Sequence, residues 1–369
     1  MAAEYQLRIV DTAGATQAVI TDYLQLAYTR VVNEPGLLSF ELADNHSALA
    51  YVVHNNQVEV YRRNVDIGLA WTRDFVGIIR SLRWATDDLT TLSVEAPGAL
   101  HILSWRTIAY KAGTLNRSRF VARKTESVMK DVVRYNCTSS GTTTDGRLRA
   151  ATSSGKVSGL YTITIQADAA GGQDESIGCA YQGVLETLQA LAQIGGGDFD
   201  LVKTSGATFD FRFYAGQRGT DRRTSLFFAL ERGNMSAPSF VDNRIDERTS
   251  AIVGGEGEEA LRNTLVVTGD NYLVGSRDFE MFVDSRQSKT TSALTTAGQV
   301  ALYEARRPEE FSFSALQAPN AYYGVHYDLG DLVTATYRGV SYSQKVQSVA
   351  VSFTNDTGEQ IAVTMELYV

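Results

Sequence analysis

Hydrophobic and polar residues alternate along most of the first hundred positions, with the period of two that is typical of half-buried strands. The alternation is carried by EYQLRIV from Glu4, AVITDYLQLAYTRVV from Ala18 and PGLLSFELAD from Pro35. A three-strand meander pattern follows between Gln57 and Ala96, and Pro97-Gly98 then marks a turn. We therefore predict a first β-domain over residues 1–98.

The middle of the chain mixes helical and strand patterns. TESVMKDVVRYN predicts a helix with Thr125 as N-cap, Glu126 in its first turn and an apolar face of Val128, Met129, Val132 and Val133. YQGVLETLQALAQIGGG predicts a second helix with an apolar face of Val184, Leu185, Leu188 and Leu191, ended by Gly195–Gly197. A hairpin follows, with Phe209, Phe211 and Phe213 on one side. We predict an inserted α+β region over residues 99–262, with a Ser/Thr/Gly-rich loop near 137–158.

The last part of the chain returns to strand patterns. A third helix is predicted near 296–307, with a capping box of Thr296 and Gln299 and an end before Pro308. A second three-strand meander then runs from Tyr327 to Val369. We predict a second β-domain over residues 263–369.

The two meanders repeat four strand elements in the same order. PGLLSFEL precedes the first and PEEFSFSAL the second; VEVYR resembles VTATYR, with Tyr61 matching Tyr337. IRSLRW from Ile79 matches VQSVAV from Val346, and TLSV matches QIAV. Two unrelated meanders could share such alternation, but the common order favours a duplicated unit. We expect the two to superimpose strand for strand and to remain two separate units.

The fold class that follows is β-rich α+β, with two similar small antiparallel β-barrels and mixed α/β insertion domains between them. Closing each sheet into a barrel would remove the edges that otherwise aggregate. Three copies of a two-barrel chain would form a ring of six similar units. Such a ring could join a six-fold tube to a three-fold tip.

Composition and charge narrow the possible functions. Of 369 residues, 44% are hydrophobic and 21% charged, and no apolar run reaches the roughly 18 residues of a membrane helix. MAAEYQLRIV shows no secretory signal, so we expect synthesis in the cytoplasm. Cys137 and Cys179 are too few for a disulfide framework or a zinc site. A net charge of −8 argues against binding a nucleic-acid backbone, yet suits a surface that DNA passes without sticking.

No group of residues predicts catalysis, a metal or a cofactor. The four histidines, His46, His54, His101 and His326, show no metal-ligand spacing. Asp44, His46 and Ser47 stand together in ADNHS, but as a turn after a strand rather than an assembled triad. GGEGEE from Gly254 lacks the Lys and Ser/Thr of a phosphate loop, and the adjacent Glu309 and Glu310 cannot straddle a glycosidic bond. We expect no catalytic, cofactor-binding or metal-binding residues.

The segment FDFRFYAGQRGTDRR suggests the strongest alternative interpretation, a face that binds single-stranded nucleic acid. Its aromatic residues alternate with or precede Arg212, Arg218, Arg222 and Arg223, a composition that suits single-stranded nucleic acid. The phenylalanines, however, alternate as a core face should. We therefore favour a buried aromatic face with a solvated or interfacial arginine loop.

The sequence resembles the hub proteins of long-tailed bacteriophage tails and baseplates, in particular siphovirus hub-like tail proteins. The resemblance rests on PGLLSFELADNH, VEVYRRN with WTRDFVGIIRSLRW, APGALHILSWRTI, ESVMKDVVRYN, GVLETLQALAQIGGGDFDL and LGDLVTATYRGVSYSQKVQSV. It covers most of the chain, although no single motif is diagnostic. Many relatives continue into a long C-terminal extension, whereas this sequence ends at Val369, so host recognition and wall cutting are expected on other polypeptides.

The resemblance implies a non-enzymatic virion protein, assembled in the host cytoplasm and located at the tail tip. It implies a homotrimer that caps the tail tube, adapts six-fold to three-fold symmetry and forms part of the DNA exit channel. Expected partners are the tail tube or distal tail ring, the tape-measure protein and tail-tip or receptor-binding proteins, without specific nucleic-acid binding or a membrane span. The alternatives are a hub of a contractile injection system or gene-transfer particle, or a β-rich glycan-binding or hydrolytic tail protein.

Overall fold

A computed structural model gives the fold and describes residues 3–108, 118–138, 156–157, 159–306, 309–354 and 356–368. Most of the predicted Ser/Thr/Gly-rich loop near 137–158 lies outside these residues, as does Pro308. None of the described helices is long and apolar enough to cross a membrane.

The first hundred residues form strands where the alternation predicts them. The strands are β1 (Glu4–Val10), β2 (Thr16–Ile20), β3 (Gln25–Val31), β4 (Glu34–Ala43), β5 (Gln57–Asn64), β6 (Leu69–Ile78), β7 (Ser81–Thr86) and β8 (Thr90–Pro97). In β1, Tyr5, Leu7 and Ile9 are buried while the residues between them are half-buried. Strands β2, β1, β5 and β6 form a four-stranded sheet in that order.

The described part of the middle region contains three α-helices and short or paired strands. The elements are α1 (His101–Ser104), β9 (Ser118–Arg119), β10 (Arg123–Lys124), α2 (Thr125–Cys137), β11 (Lys156–Val157), β12 (Tyr161–Ile165), β13 (Asp174–Glu175), β14 (Gly178–Cys179), α3 (Val184–Gly195), β15 (Gly197–Ser205) and β16 (Thr208–Ala215). The sheet β11-β12-β16-β15 shares a core with α2 and α3. Phe209, Phe211 and Phe213 are buried in it, as their alternation predicts. Cys137 and Cys179 are also buried.

The remaining elements include two groups of strands and the last helix. They are β17 (Phe227–Ala229), β18 (Met235–Asp242), β19 (Ser250–Gly254), β20 (Thr264–Thr268), β21 (Glu280–Asp284), α4 (Thr291–Glu304), β22 (Glu309–Ala315), β23 (Leu332–Tyr337), β24 (Val340–Thr354) and β25 (Gly358–Leu367). A small sheet of order β20-β19-β21 packs against α4 around its own core.

Two predicted helix caps are wrong. Helix α4 begins at Thr291, and the Thr290 hydroxyl caps it by accepting the Ala293 N–H at 3.3 Å. The Thr296 hydroxyl instead donates to the carbonyl of Ser176 at 3.0 Å, so the Thr296–Gln299 capping box does not exist. Likewise Thr125 is the first residue of α2 and donates to the carbonyl of Gln173. In both cases a tertiary hydrogen bond uses the hydroxyl that local pattern assigned to a cap.

The largest sheet has ten strands and unites both ends of the chain. Its main path is β18-β22-β25-β24-β3-β4-β8-β7, with β23 and β17 attached beside β24. The four-stranded sheet packs on it, and one hydrophobic core contains residues of both, including Leu7, Phe40, Val94, Phe313 and Val363. Strand β18, which falls within the predicted inserted region 99–262, pairs with β22 of this sheet.

The expected pair of separate barrels is not confirmed, because the described sheets are open. The two meanders share one sheet, since β24 pairs with β3 over seven residue pairs. The first meander is also divided: β5 and β6 lie in the four-stranded sheet, and β7 and β8 in the large one. The expectation that the two meanders remain separate units is therefore wrong, because strands of both lie in the large sheet. The alternation determines which side chains of a strand are buried, but it does not determine which strand pairs with it.

Candidate assembly interface

Small polar and alanine side chains form a continuous band across one face of the large sheet. One row of directly opposed residues reads Gln360, Ser352, Ala27, Ser39, Glu95 and Ser81. The neighbouring row reads Ala362, Ala350, Thr29 and Leu37. Because successive strand residues point to opposite faces, the core residues occupy the other side. The band is half-buried or exposed, so it forms a mainly polar surface across six of the eight strands of the main path, from β25 to β7.

The eight strands of the main path carry few basic residues. Their sequences contain Arg30, Arg83 and Lys345 against eight acidic residues. Arg30 is bound to Asp74 at 2.8 Å and Lys345 to Asp198 at 2.7 Å. Arg83 is the one basic residue of these strands that is exposed. The surface therefore offers a phosphate backbone little electrostatic attraction.

The main path consists of two four-strand units with the same strand order. Unit one is β3-β4-β8-β7 and unit two is β18-β22-β25-β24. In chain order, both units follow first, second, fourth, third. In each, the last two strands in the chain form a hairpin that returns to the second strand.

The units also share their register. In unit one, Val94 lies opposite both Phe40 and Leu82. In unit two, Val363 lies opposite both Phe313 and Val349. These are the positions that the alignment of SF with SF, TLSV with QIAV and IRSLRW with VQSVAV brings together. Three of the four matched elements thus share strand order and register, whereas the fourth pair, VEVYR and VTATYR, lies in two different sheets as β5 and β23.

The joint between the units combines strand pairing with a buried ion pair. In the pairing of β24 with β3, Val351 lies opposite Tyr28 and both are almost fully buried. Beside them, Arg62 of β5 donates to both carboxylate oxygens of Glu359, at 2.6 and 2.9 Å, and to the carbonyl of Tyr323 at 2.9 Å. The Tyr5 hydroxyl also donates to Glu359. The bidentate geometry ties the four-stranded sheet to β25.

A second charged group lies next to this pair. Arg30 contacts Asp74 and, at 2.6 Å, Asp328, while the hydroxyls of Tyr28 and Tyr323 donate to Asp74. Burial raises the pKa values of Tyr28 and Tyr323 well above their usual range, so both hydroxyls remain donors. We call the combined group the joint cluster: Tyr5, Tyr28, Arg30, Arg62, Asp74, Tyr323, Asp328 and Glu359.

The inserted region is fixed to both units through β15. The Asp198 carboxylate accepts hydrogen bonds from Lys345 of β24 and from the side chain of Asn33, in the turn between β3 and β4. At the other end of the strand, Lys203 lies 2.8 Å from Glu59 of β5. Asp198 and Lys203 are both buried. The inserted region thus braces the joint from one side.

The two ends of the main path are open. Within the described part of the chain, β7 pairs with β8 alone and β18 with β22 alone. Strand β7 exposes Trp84 at 55%, and β18 exposes Val241 at 46%. Pro238 and the positive φ of Ala237 interrupt β18 beside a bulge, features that occur at sheet edges.

The residues weighed for chemistry do not assemble a site. The imidazole of His46 lies 2.9 Å from Asp22 and accepts the Ala48 N–H, and neither contact involves Asp44 or Ser47. In the GGEGEE segment, Glu256 forms an ion pair with Lys289. Glu309 and Glu310 lie in β22, but their side chains fall outside the description. Among the described residues, no cluster of His, Cys, Asp or Glu could hold a metal ion.

The four arginines of the alternative nucleic-acid face are each bound to a carboxylate. The pairs are Arg212–Asp210, Arg218–Asp200, Arg222–Asp331 and Arg223–Asp221, at 2.6 to 2.9 Å. The neighbouring phenylalanines are buried and present no stacking platform. The structure therefore favours the core-and-loop interpretation.

Sequence reasoning missed the joint cluster. Its members come from β1, β3, β5, β6, the loop before β23 and the start of β25, and no spacing connects them. The one signal was that Arg62 and Asp74 lie within strands of alternating pattern. The alternation accounts for the apolar residues of these strands but assigns no role to the two charged ones.

The chain has the fold of bacteriophage tail proteins. It is similar to the 43 kDa tail protein of prophage MuSo2 from Shewanella oneidensis, with a TM-score of 0.60 at 13% identity over 98% of each chain. It is similar to the tail protein from Neisseria meningitidis, with a TM-score of 0.57 at 11% identity over 99% of this chain and 97% of that one. The Francisella PdpA-VgrG complex gives a TM-score of 0.53 at 9% identity, over all of this chain and 58% of that one.

The family can be stated more closely. The chain belongs to the Siphovirus ReqiPepy6 Gp37-like protein family, whose model matches residues 6–365. No curated protein matches the chain. The resemblance to siphovirus tail hub proteins is thereby confirmed, and the chain is a phage tail protein of hub-like, β-rich structure.

Proposed function

We propose that the chain is the trimeric hub at the distal end of a phage tail tube. The observation that carries this proposal is the repeat of two four-strand units in one open sheet. Three copies supply six similar units, so a single ring can match a six-fold tube on one side and a three-fold tip on the other. Joined edge to edge, three main paths would place about 24 strands around a central channel, and closure would leave no free edge.

In this arrangement the polar band lines the channel and the hydrophobic core lies outside it. Ser, Thr, Ala and Gln side chains next to scattered carboxylates would let DNA pass without a tight ionic contact. The proposed function is therefore passive: the hub is a wall of the DNA exit channel and carries no catalytic group.

The partners follow from that position. The tail tube or distal tail ring would contact one end of the ring, the tape-measure protein would enter it, and tail-tip or receptor-binding proteins would attach outside. The protein would assemble in the host cytoplasm and be located in the virion. The domain boundaries 1–98, 99–262 and 263–369 remain our proposal for how the chain is divided. A core of its own around Phe199 and Phe211 supports the inserted region, whereas the first and last domains share one core.

A cryo-electron microscopy reconstruction of the intact particle tests the proposal directly. We expect three copies of the chain around the tube axis, with the band of Ser39, Ser352 and Ala350 facing the lumen. Six or twelve copies, or a lumen lined by another protein, would contradict it.

The second candidate is the hub of a contractile injection system, which would use the same adaptation between six-fold and three-fold symmetry. The same particle distinguishes the two, because a contractile sheath around the tube would identify this alternative. A zymogram of purified protein on cell wall addresses the hydrolytic candidate. We expect no clearing, whereas clearing that disappears when a single carboxylate is substituted would refute the non-enzymatic assignment.

A further inference from the structure

The joint between the two units shows how the last strand of one unit pairs with the first strand of the other. Strand β24 ends unit two and pairs with β3, which begins unit one. The matched strand orders make β7 the counterpart of β24 and β18 the counterpart of β3. These counterparts, β7 and β18, are the two open ends of the main path.

We infer that β7 of one copy pairs with β18 of the next copy in the register of the internal joint. The inference rests on the proposed ring of three copies and adds which strands meet and which residues face each other. It commits the open edges to one occupant, a second copy of this chain. The internal β24–β3 pairing is the template, and the contact would continue the same sheet across the molecular boundary.

The register follows from two alignments. Leu82 of β7 and Val349 of β24 both lie opposite the equivalent valines of their hairpins, so Trp84 corresponds to Val351. Tyr28 lies opposite Leu38, which stands two residues before Phe40 and points to the same face of the sheet. Phe240 lies opposite Phe311, which stands two residues before Phe313 and also points to the same face. Phe240 therefore corresponds to Tyr28. Since Val351 pairs with Tyr28 inside the chain, Trp84 should pair with Phe240 of the neighbouring copy.

The side chains at both edges fit this contact. Phe240 is half-buried at the end of an aromatic group: its ring stacks on Tyr342 at 5.3 Å, and Tyr342 stacks on Phe311 at 6.0 Å. Trp84 is 55% exposed and would extend that group by one ring. In the internal joint the counterpart Tyr28 also belongs to an aromatic group, with an edge-on contact to Tyr5 and a tilted contact to Phe75.

On the channel face, the same register places Arg83 opposite Val241 and Ala85 opposite Ser239 of the neighbour. Pro238 and the bulge beside it end regular pairing at Ser239. The paired segment is therefore short, about four residues on each strand.

Cysteine cross-linking of the full chain tests the register. Arg83→Cys with Val241→Cys places two thiols directly opposite each other, with Cα atoms about 4.5–5.5 Å apart. The control, Arg83→Cys with Ser239→Cys, displaces one thiol by two residues, to about 7–8 Å or more, beyond disulfide reach. The edges lie at opposite ends of an eight-strand path, so a bond between them within one chain is excluded. The native cysteines are buried and remain in both variants.

We expect the first double variant to give a covalent trimer on non-reducing gels after mild oxidation, and the control to remain monomeric. A trimer from the control alone would overturn the register but leave the three-copy ring standing. No cross-link from either variant, in a particle that reconstruction shows to be three-fold, would overturn the edge pairing. Reconstruction with another copy number would refute both this inference and the proposed function.

A single substitution gives a readout without disulfides. Trp84→Ala should weaken self-association at least about tenfold in sedimentation experiments, because a central aromatic anchor is lost. Leu89→Ala is the matched control, since Leu89 is 72% exposed in the adjoining β7–β8 turn but outside the paired segment. Equal effects of the two substitutions, or none from Trp84→Ala, would contradict the contact.

Discussion

Unit one and unit two share strand order and register, but their third strands differ. In unit two, β24 runs for 15 residues and serves two sheet neighbours in turn, β23 near its start and β3 near its end. In unit one, the corresponding stretch breaks into β6 and β7 at Ile79 and Arg80. The Arg80 N–H turns to the carbonyl of Glu95, while Ile79 stays bonded to Asn56. A repeat can thus keep its hydrogen-bond register while one copy divides a strand between two sheets.

The outer edges of β3 and β18, the first strands of the two units, differ more sharply. The outer edge of β3 is covered by β24 and reinforced by the joint cluster, whereas no described strand covers that of β18. A buried joint within the chain can hold charges that need exact partners. An edge that forms a contact only on assembly must stay soluble beforehand, and Pro238 with a bulge serves that need.

Equivalent core positions offer the strongest test of the match between the units. Phe40→Ala and Phe313→Ala should each destabilise the chain by about 3–5 kcal/mol, because each removes a buried ring opposite the equivalent valine. Urea unfolding of both variants gives the comparison. If one substitution costs much less than the other, the two positions are not equivalent in packing.

The joint cluster predicts a comparable loss from a single arginine. Arg62→Met should cost about 3–5 kcal/mol, since it leaves the Glu359 carboxylate buried without its partner. Arg63→Met is the control. Arg63 is adjacent in sequence but pairs with Glu4 at the surface, so this substitution should change the stability by less than about 1 kcal/mol. Thermal unfolding followed by circular dichroism would measure both, and similar small shifts would show that the joint does not depend on this ion pair.

Substitutions at corresponding positions of β24, whose edge is covered by β3, and of β7, whose edge is open, should change the stability of the chain by different amounts. Val351→Ala removes buried methyl groups and should destabilise the isolated chain by about 1–2 kcal/mol. Trp84→Ala, at the counterpart position, should change that stability by less than about 0.5 kcal/mol, because its side chain is mostly exposed in the single chain. A large loss from Trp84→Ala in the monomer would show that its ring is already packed there.

The contact between the four-stranded sheet and β15 should produce a modest pH dependence. Burial alone would raise the pKa of Glu59, but the hydrogen bond and charge of Lys203 hold it below its ordinary value. A carboxyl with a lowered folded pKa stabilises the fold above its unfolded pKa, and this stability is lost as pH falls through the folded pKa. Glu59→Gln should therefore flatten the acid side of the stability curve, measured by urea unfolding between neutral and acidic pH.

Much of the candidate interface could be predicted in outline. The segments around Phe40, Leu82 and Val94 were matched to those around Phe313, Val349 and Val363 from sequence alone, and the sheet pairs them in that register. The apolar faces of α2 and α3 were also correctly predicted. These features depend on local periodicity, which each segment carries in its own residues.

The sequence by itself determined the strands, their buried faces and the internal repeat. Only the tertiary structure decided that β24 would pair with β3, that Arg62 would meet Glu359, nearly three hundred residues away, and that Thr296 would serve a distant carbonyl rather than a helix cap. The physical reason is that alternation specifies which side of a strand is apolar, while both of its edges carry the same backbone donors and acceptors. Which edge is covered, and which remains open for another copy, depends on how the whole chain packs.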